Sequence, residues 1–86
     1  MSIKAPVQVE GHAVVRLRQR LPVHVVQFFD GDYDRLRGFA SCVANHLWHS
    51  CDEYQDGVHH FGDPCRVYPF AGVRWLIHDD DYRARL

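Results

Sequence analysis

Hydrophobic and polar residues alternate along the first third of the chain. Val7, Val9, Ala13, Val15, Leu17, Leu21, Val23 and Val25 hold odd positions, and Gln8, Glu10, His12, Arg16, Arg18, Arg20 and His24 hold most even ones. A period of two predicts half-buried strands. The stretch is too long for one ordinary strand. Gly11 and the Arg20-Leu21-Pro22 step divide it into strands at 6–10, 12–20 and 23–29. The last, Val23-His24-Val25-Val26-Gln27-Phe28-Phe29, is apolar on nearly both faces and is expected at the centre of a sheet.

The period then changes. Asp30-Gly31-Asp32 carries turn and N-cap chemistry. Leu36, Phe39, Ala40, Val43, Leu47, Cys51 and Tyr54 follow the 3.6-residue repeat, which predicts a helix from about Tyr33 to about Tyr54 with one core-facing stripe. Gly38 is its weak point. Asp56-Gly57 reads as the stop, and His59 to Pro64 as a loop. Cys65 to Tyr68 and Val73 to Ile77 read as strands joined by Pro69-Phe70-Ala71-Gly72. Asp79 or Asp80 is placed to cap a final helical turn through Leu86. The expected fold is α+β, a small antiparallel sheet in ββ(β)-α-ββ order with one long helix across one face. No linker or repeat divides the 86 residues, so a single domain, 1–86, is expected. One helix covers one sheet face, so the other is expected to be wet or to meet a partner.

Composition narrows the classes. At 47% hydrophobic and 13% aromatic, the chain reads as a packed globule. A formal net charge of -1 supplies no whole-molecule field toward nucleic acid or membrane. It leaves association with a second copy unopposed. Three cysteines, Cys42, Cys51 and Cys65, exclude a fully paired disulfide framework within one chain and lack a C-x-x-C spacing. Reduced thiols and a cytoplasmic setting are expected. The N-terminus has no apolar h-region, so no secretory signal is read, and no apolar run reaches membrane-span length. Nine arginines against one lysine fit a GC-rich genome. Seven histidines put much of the charge change between pH 5 and 8.

Three features carry candidate chemistry. Cys42, His46, His49 and Glu53 fall at i, i+4, i+7 and i+11, so on a helix they share one stripe. All four side chains can ligate zinc, and His59 or His60 would complete the set. The stripe lies roughly 90–130° around the helix from the core stripe, so it faces sideways or outward. A Cys42–His46 nucleophilic pair is disfavoured, because a mid-helix thiol lacks the dipole that lowers its pKa. Arg16, Arg18 and Arg20 alternate, so on a strand they form a comb of guanidinium groups at about 7 Å spacing. Such a comb grips phosphate or carboxylate, with Arg66 or Arg74 able to join it. Trp48 lies away from both helix stripes and suits an interface or the cover of the 55–64 loop. Asp79-Asp80-Asp81 is read as capping and solubility, not as a hard-cation site.

No catalytic constellation or cofactor box is visible, and no cofactor is expected apart from the zinc alternative. The leading expectation is a small non-enzymatic protein-interaction or accessory module of the kind carried by mobile elements and phage. Its partner would be a protein or a second copy, met through the sheet face or an edge strand. The alternatives are a zinc-binding protein through the Cys/His face and a nucleic-acid binder through the Arg comb.

Overall fold

The computed structural model describes residues 6–29, 31–59, 62–79 and 82–86. Asp30, His60, Asp80, Asp81 and the side chain of His59 lie outside them. Three helices precede four strands. These are α1 (Gly11–Arg20), α2 (Val23–Phe28), α3 (Tyr33–Ser50), β1 (Gln55–His59), β2 (Asp63–Phe70), β3 (Val73–His78) and β4 (Ala84–Arg85). The fold is α+β, with one long helix and a small antiparallel sheet in the order β1-β2-β3-β4.

The expected strands at 12–20 and 23–29 are helices. From Gly11 to Leu21 the alternation hides a helical stripe, since Ala13, Val14, Leu17 and Leu21 are the buried positions there and sit at i, i+1, i+4 and i+8. Val14 breaks the alternation, and Val15, which obeys it, is 49% exposed. Leu17, Arg16, Arg18, Gln19 and Arg20 all favour helix intrinsically. Leu21 stands before Pro22 in extended backbone (φ -68°, ψ 148°) and ends α1, as a pre-proline residue does. Pro22 then caps α2. An unbroken apolar run such as 23–29 does not distinguish strand from helix by period alone.

Asp32 caps α3, its side chain accepting from the Arg35 amide at 3.2 Å. The helix buries Leu36, Ala40, Ala44 and Leu47, with Phe39 and Val43 half-buried beside them. It ends at Ser50, a turn short of the expected Tyr54, and Cys51 is extended (φ -101°, ψ 127°). Asp52 and Glu53 would place two carboxylates at the negative end of the helix dipole, where they are unfavourable. The Asp56-Gly57 step, expected to stop the helix and open a loop, lies inside β1. Gly57 pairs with Cys65, and a Cβ there would stand 2.9 Å from Val67 Cγ2. Only glycine lets that methyl lean onto the strand. The expected terminal helical turn is instead β4, paired with β3 through Leu76–Arg85 and Ile77–Ala84.

Register fixes the sheet faces. Tyr68 opposes Trp75, Phe70 opposes Val73, and Ile77 opposes Ala84, so these side chains share the face toward the helices. Tyr68, Trp75, Ile77 and Ala84 are fully buried there with Leu17, Leu36 and Leu47. The Trp75 indole N–H is satisfied by the Phe70 carbonyl at 3.2 Å. The other face buries Cys65, Val67 and His78 and exposes Pro69 and Arg74. The β2–β3 turn is Ala71-Gly72, with φ of 55° and 74°, which is the two-residue primed geometry.

The segment 6–10, expected as a strand, is an extended strap. It makes one parallel bridge, Gln8 to Arg83. Gln8 N–H donates to Tyr82 O at 2.8 Å, and Ala84 N–H donates to Gln8 O at 3.0 Å. On the other side, Asn45 of α3 accepts from Val7 N–H at 2.8 Å and donates to Val7 O at 3.2 Å. Val7 and Val9 are buried between, and Glu10 pairs with Arg83 at 3.0 Å.

Asn45→Ala removes both strap bonds and leaves the Val7 amide without its acceptor. A loss of about 1–3 kcal/mol is expected in urea unfolding. Ala71→Gly relieves a left-handed alanine and is expected to stabilise by about 0.5–1 kcal/mol in the same assay.

Candidate interaction surface

α2 is the anomaly of the fold. Its sequence, VHVVQF, is mostly apolar, yet none of its residues is buried. Val25 and Val26 reach the core edge, while Val23 is 71% and Phe28 72% exposed. The helix lies where its chain demands. Pro22 starts it, and Phe29 anchors its end in the core by a ring contact to Phe39 at 5.1 Å. Six residues are too few to present a whole buried face. Beside it opens an apolar pocket of about 90 Å³, walled by Val14, Val15, Val26, Phe29 and Leu36, with Arg18, Asp32 and Tyr33 at its lining. Tyr33 is also well exposed.

The arginine comb does not form, because its carrier is a helix. At 100° per residue Arg16 and Arg20 share one side of α1 and Arg18 points nearly opposite. Each has a separate setting. Arg16 Nε donates to His12 Nε2 at 2.9 Å. Arg18 lines the α2 pocket. Arg20 lines a shallow groove with Arg74, Gly72 and Leu76.

The Cys/His stripe is partly preserved. Cys42 and His46 are exposed on α3 and His49 is half-buried. Glu53 falls beyond the helix end and leaves the stripe. Among the described residues no three His, Cys, Asp or Glu side chains are grouped to hold a metal. The remaining thiols are Cys51, half-buried at the end of α3, and Cys65, fully buried and pushed up in pKa by desolvation, with Asp79 adding to the shift.

Trp48 packs onto Arg66 of β2 and onto Tyr82, and is half-buried. Its ring meets Tyr82 edge-on at 5.6 Å and carries the Arg66 guanidinium at 4.1 Å from its centroid. Tyr54 flanks the same guanidinium at 4.5 Å and tilts onto Tyr68 at 5.3 Å. Arg66 Nη1 donates to Tyr68 Oη at 3.2 Å. That hydrogen bond is the main reason the Arg66 pKa rises, while burial pushes the Tyr68 phenol up. Tyr82 holds its place with a positive φ of 53°. This cluster has no signature in the sequence. Its three segments, 48–54, 66–68 and 82, are far apart along the chain, and only the β1–β2 register and the packing of α3 bring them together. The exposed apolar side of α2 does have a signal, the run at 23–29, but such a run reads equally well as a central strand.

Replacing Arg16, Arg18 and Arg20 together with Gln is expected to change stability by less than about 1 kcal/mol in urea unfolding, since all three are exposed. No helix among the described residues is long and apolar enough to cross a membrane. Comparison with protein-family models, with curated proteins and with solved structures gives no match to this chain.

Proposed function

We propose that this chain is a non-enzymatic protein-interaction module whose contact surface is α2 with its neighbouring pocket, and whose partner there is a second copy. The observation that carries the reading is that α2 is apolar and has no buried residue. Exposed Val15, Val23, Phe28 and Tyr33 contribute an apolar area on the order of 400 Å². That is within the range of functional patches on monomers.

Self-association is favoured by the make-up of the patch. It holds protruding side chains, Val23 and Phe28, and a recess walled by Val14, Val26 and Leu36. It also holds both signs of charge, Arg18 and Asp32. A two-fold contact sets one patch against itself, so each projection meets the other copy's recess and each sign its opposite. The net charge of -1 opposes this weakly. The three thiols are unpaired, which supports a reducing, cytoplasmic setting.

An interface built on a patch of this size belongs to the weak class, below about 1,200 Å² in total. Sedimentation equilibrium is expected to show a monomer–dimer equilibrium with a Kd of roughly 10–100 μM. The Val23→Ser/Phe28→Ser variant should fold with nearly unchanged stability and remain monomeric. A single 10.0 kDa species at all concentrations would contradict the reading, and so would a dimer that the double variant leaves intact.

A further inference from the structure

Arg66 is held in an unusual way. It sits on β2 on the helix-facing side of the sheet, where the core is otherwise apolar. Trp48 of α3 and Tyr54 of the α3–β1 connection flank its guanidinium at 4.1 and 4.5 Å. Tyr68 fixes Nη1. A guanidinium has five N–H donors, and this is the single hydrogen bond it makes among the described residues. No carboxylate of the described residues lies within ion-pair distance of it. Among the described residues, two acids bear on it. Asp56 opposes it across the β1–β2 pair but is exposed and does not pair with it. Asp79 acts on it only at longer range. Elsewhere the chain does pair arginines, since Arg83 and Arg85 both reach Glu10.

Stacking on aromatic rings removes water from guanidinium faces and fixes their plane, leaving the edge donors to act. The entropy of ordering a long side chain, which usually offsets a surface ion pair, is already spent in the folded chain. The group is half-buried and reached from solvent past the partly exposed rings of Tyr54 and Tyr82. We infer that Arg66, oriented by Trp48, Tyr54 and Tyr68, is a receptor for a single oxyanion group, a carboxylate or a phosphate, of an incoming ligand. The guanidinium edge takes the oxyanion bidentately, and Tyr68 holds the fork in plane. The nearby Asp56 and Asp79 work against a polyanion, so one anionic group and not a nucleic-acid backbone is the ligand. This site is independent of α2.

The test is a chemical-shift titration of the intact chain, following the Trp48 indole N–H and the Arg66 Nε–H. Sodium phosphate and sodium acetate are added separately, with sodium chloride at matched ionic strength as control. Saturable shifts of both signals in the low-millimolar range are expected with at least one oxyanion. Saturation with phosphate alone assigns a phosphate ligand, and saturation with both assigns the shared oxyanion chemistry. Arg66→Lys keeps the charge but loses the fork, and should weaken binding about tenfold. Arg16→Lys, on α1 and outside this cluster, should bind as the parent does. Shifts no larger than those in chloride, or an Arg66→Lys chain that binds as the parent does, would overturn the assignment.

Discussion

The strap from Val7 to Glu10 is the constraint on which the rest of the molecule depends. Helices fill the first half of the chain and strands the second, and without the strap the two halves meet chiefly where α3 lies on β3. Asn45 holds the strap on its helical side through both Val7 backbone groups. The Tyr82 carbonyl and the Ala84 amide hold it on the sheet side through Gln8. Val7 and Val9 thereby enter the core that Leu17, Trp75 and Ile77 share. A buried backbone segment must have its N–H and C=O groups paired. The amide side chain of Asn45 does this on a helix surface, where no strand edge is available. The same contact places the C-terminal residues, since β4 receives both β3 and the strap.

Position along the chain decides how much of this is legible in the sequence. The long helix, its Asp32 cap and its Leu36, Ala40 and Leu47 stripe follow from a 3.6-residue period that nothing in 33–50 contradicts. The β2–β3 hairpin follows from its two β-rich runs, although the connection expected at 69–72 tightens to Ala71-Gly72 as β2 runs on through Phe70. The α+β class rests on those two elements and stands. The first third misleads because Arg, Leu, Gln and Val alternate there while the helical stripe of Ala13, Val14, Leu17 and Leu21 runs through the same letters. Val14 against Val15 is the discriminating pair, and intrinsic propensity points to helix. β1 is hidden for a different reason. Asp-Gly is a turn signal in isolation, but Gly57 is required in the strand by the close approach of Val67.

The candidate chemistry divides by the same logic. Arg16, Arg18 and Arg20 form a comb only if their carrier is a strand, and the helix disperses them. Glu53 belongs to the metal stripe only if the helix reaches it. Trp48 and Arg66 each stand out singly, but a cation–π pair between α3 and β2 depends on tertiary packing and has no local signature. The exposed apolar side of α2 is the converse case. Its residues are plain in the sequence and their apolar character implies burial. A six-residue helix between Pro22 and the Phe29 anchor nonetheless cannot turn Val23 and Phe28 inward while Val25 and Val26 face the core.

Native-state hydrogen exchange tests the strap's central role most directly. If the strap joins helices and sheet into one cooperative unit, the amides of Val7, Gln8 and Ala84 open only with the β3 amides. They should then exchange with the same free energy and the same denaturant dependence as β3. Val7, Gln8 and Ala84 exchanging far faster, with little dependence on denaturant, would show that the strap frays locally and that the packing of α3 on β3 holds the two halves together without it.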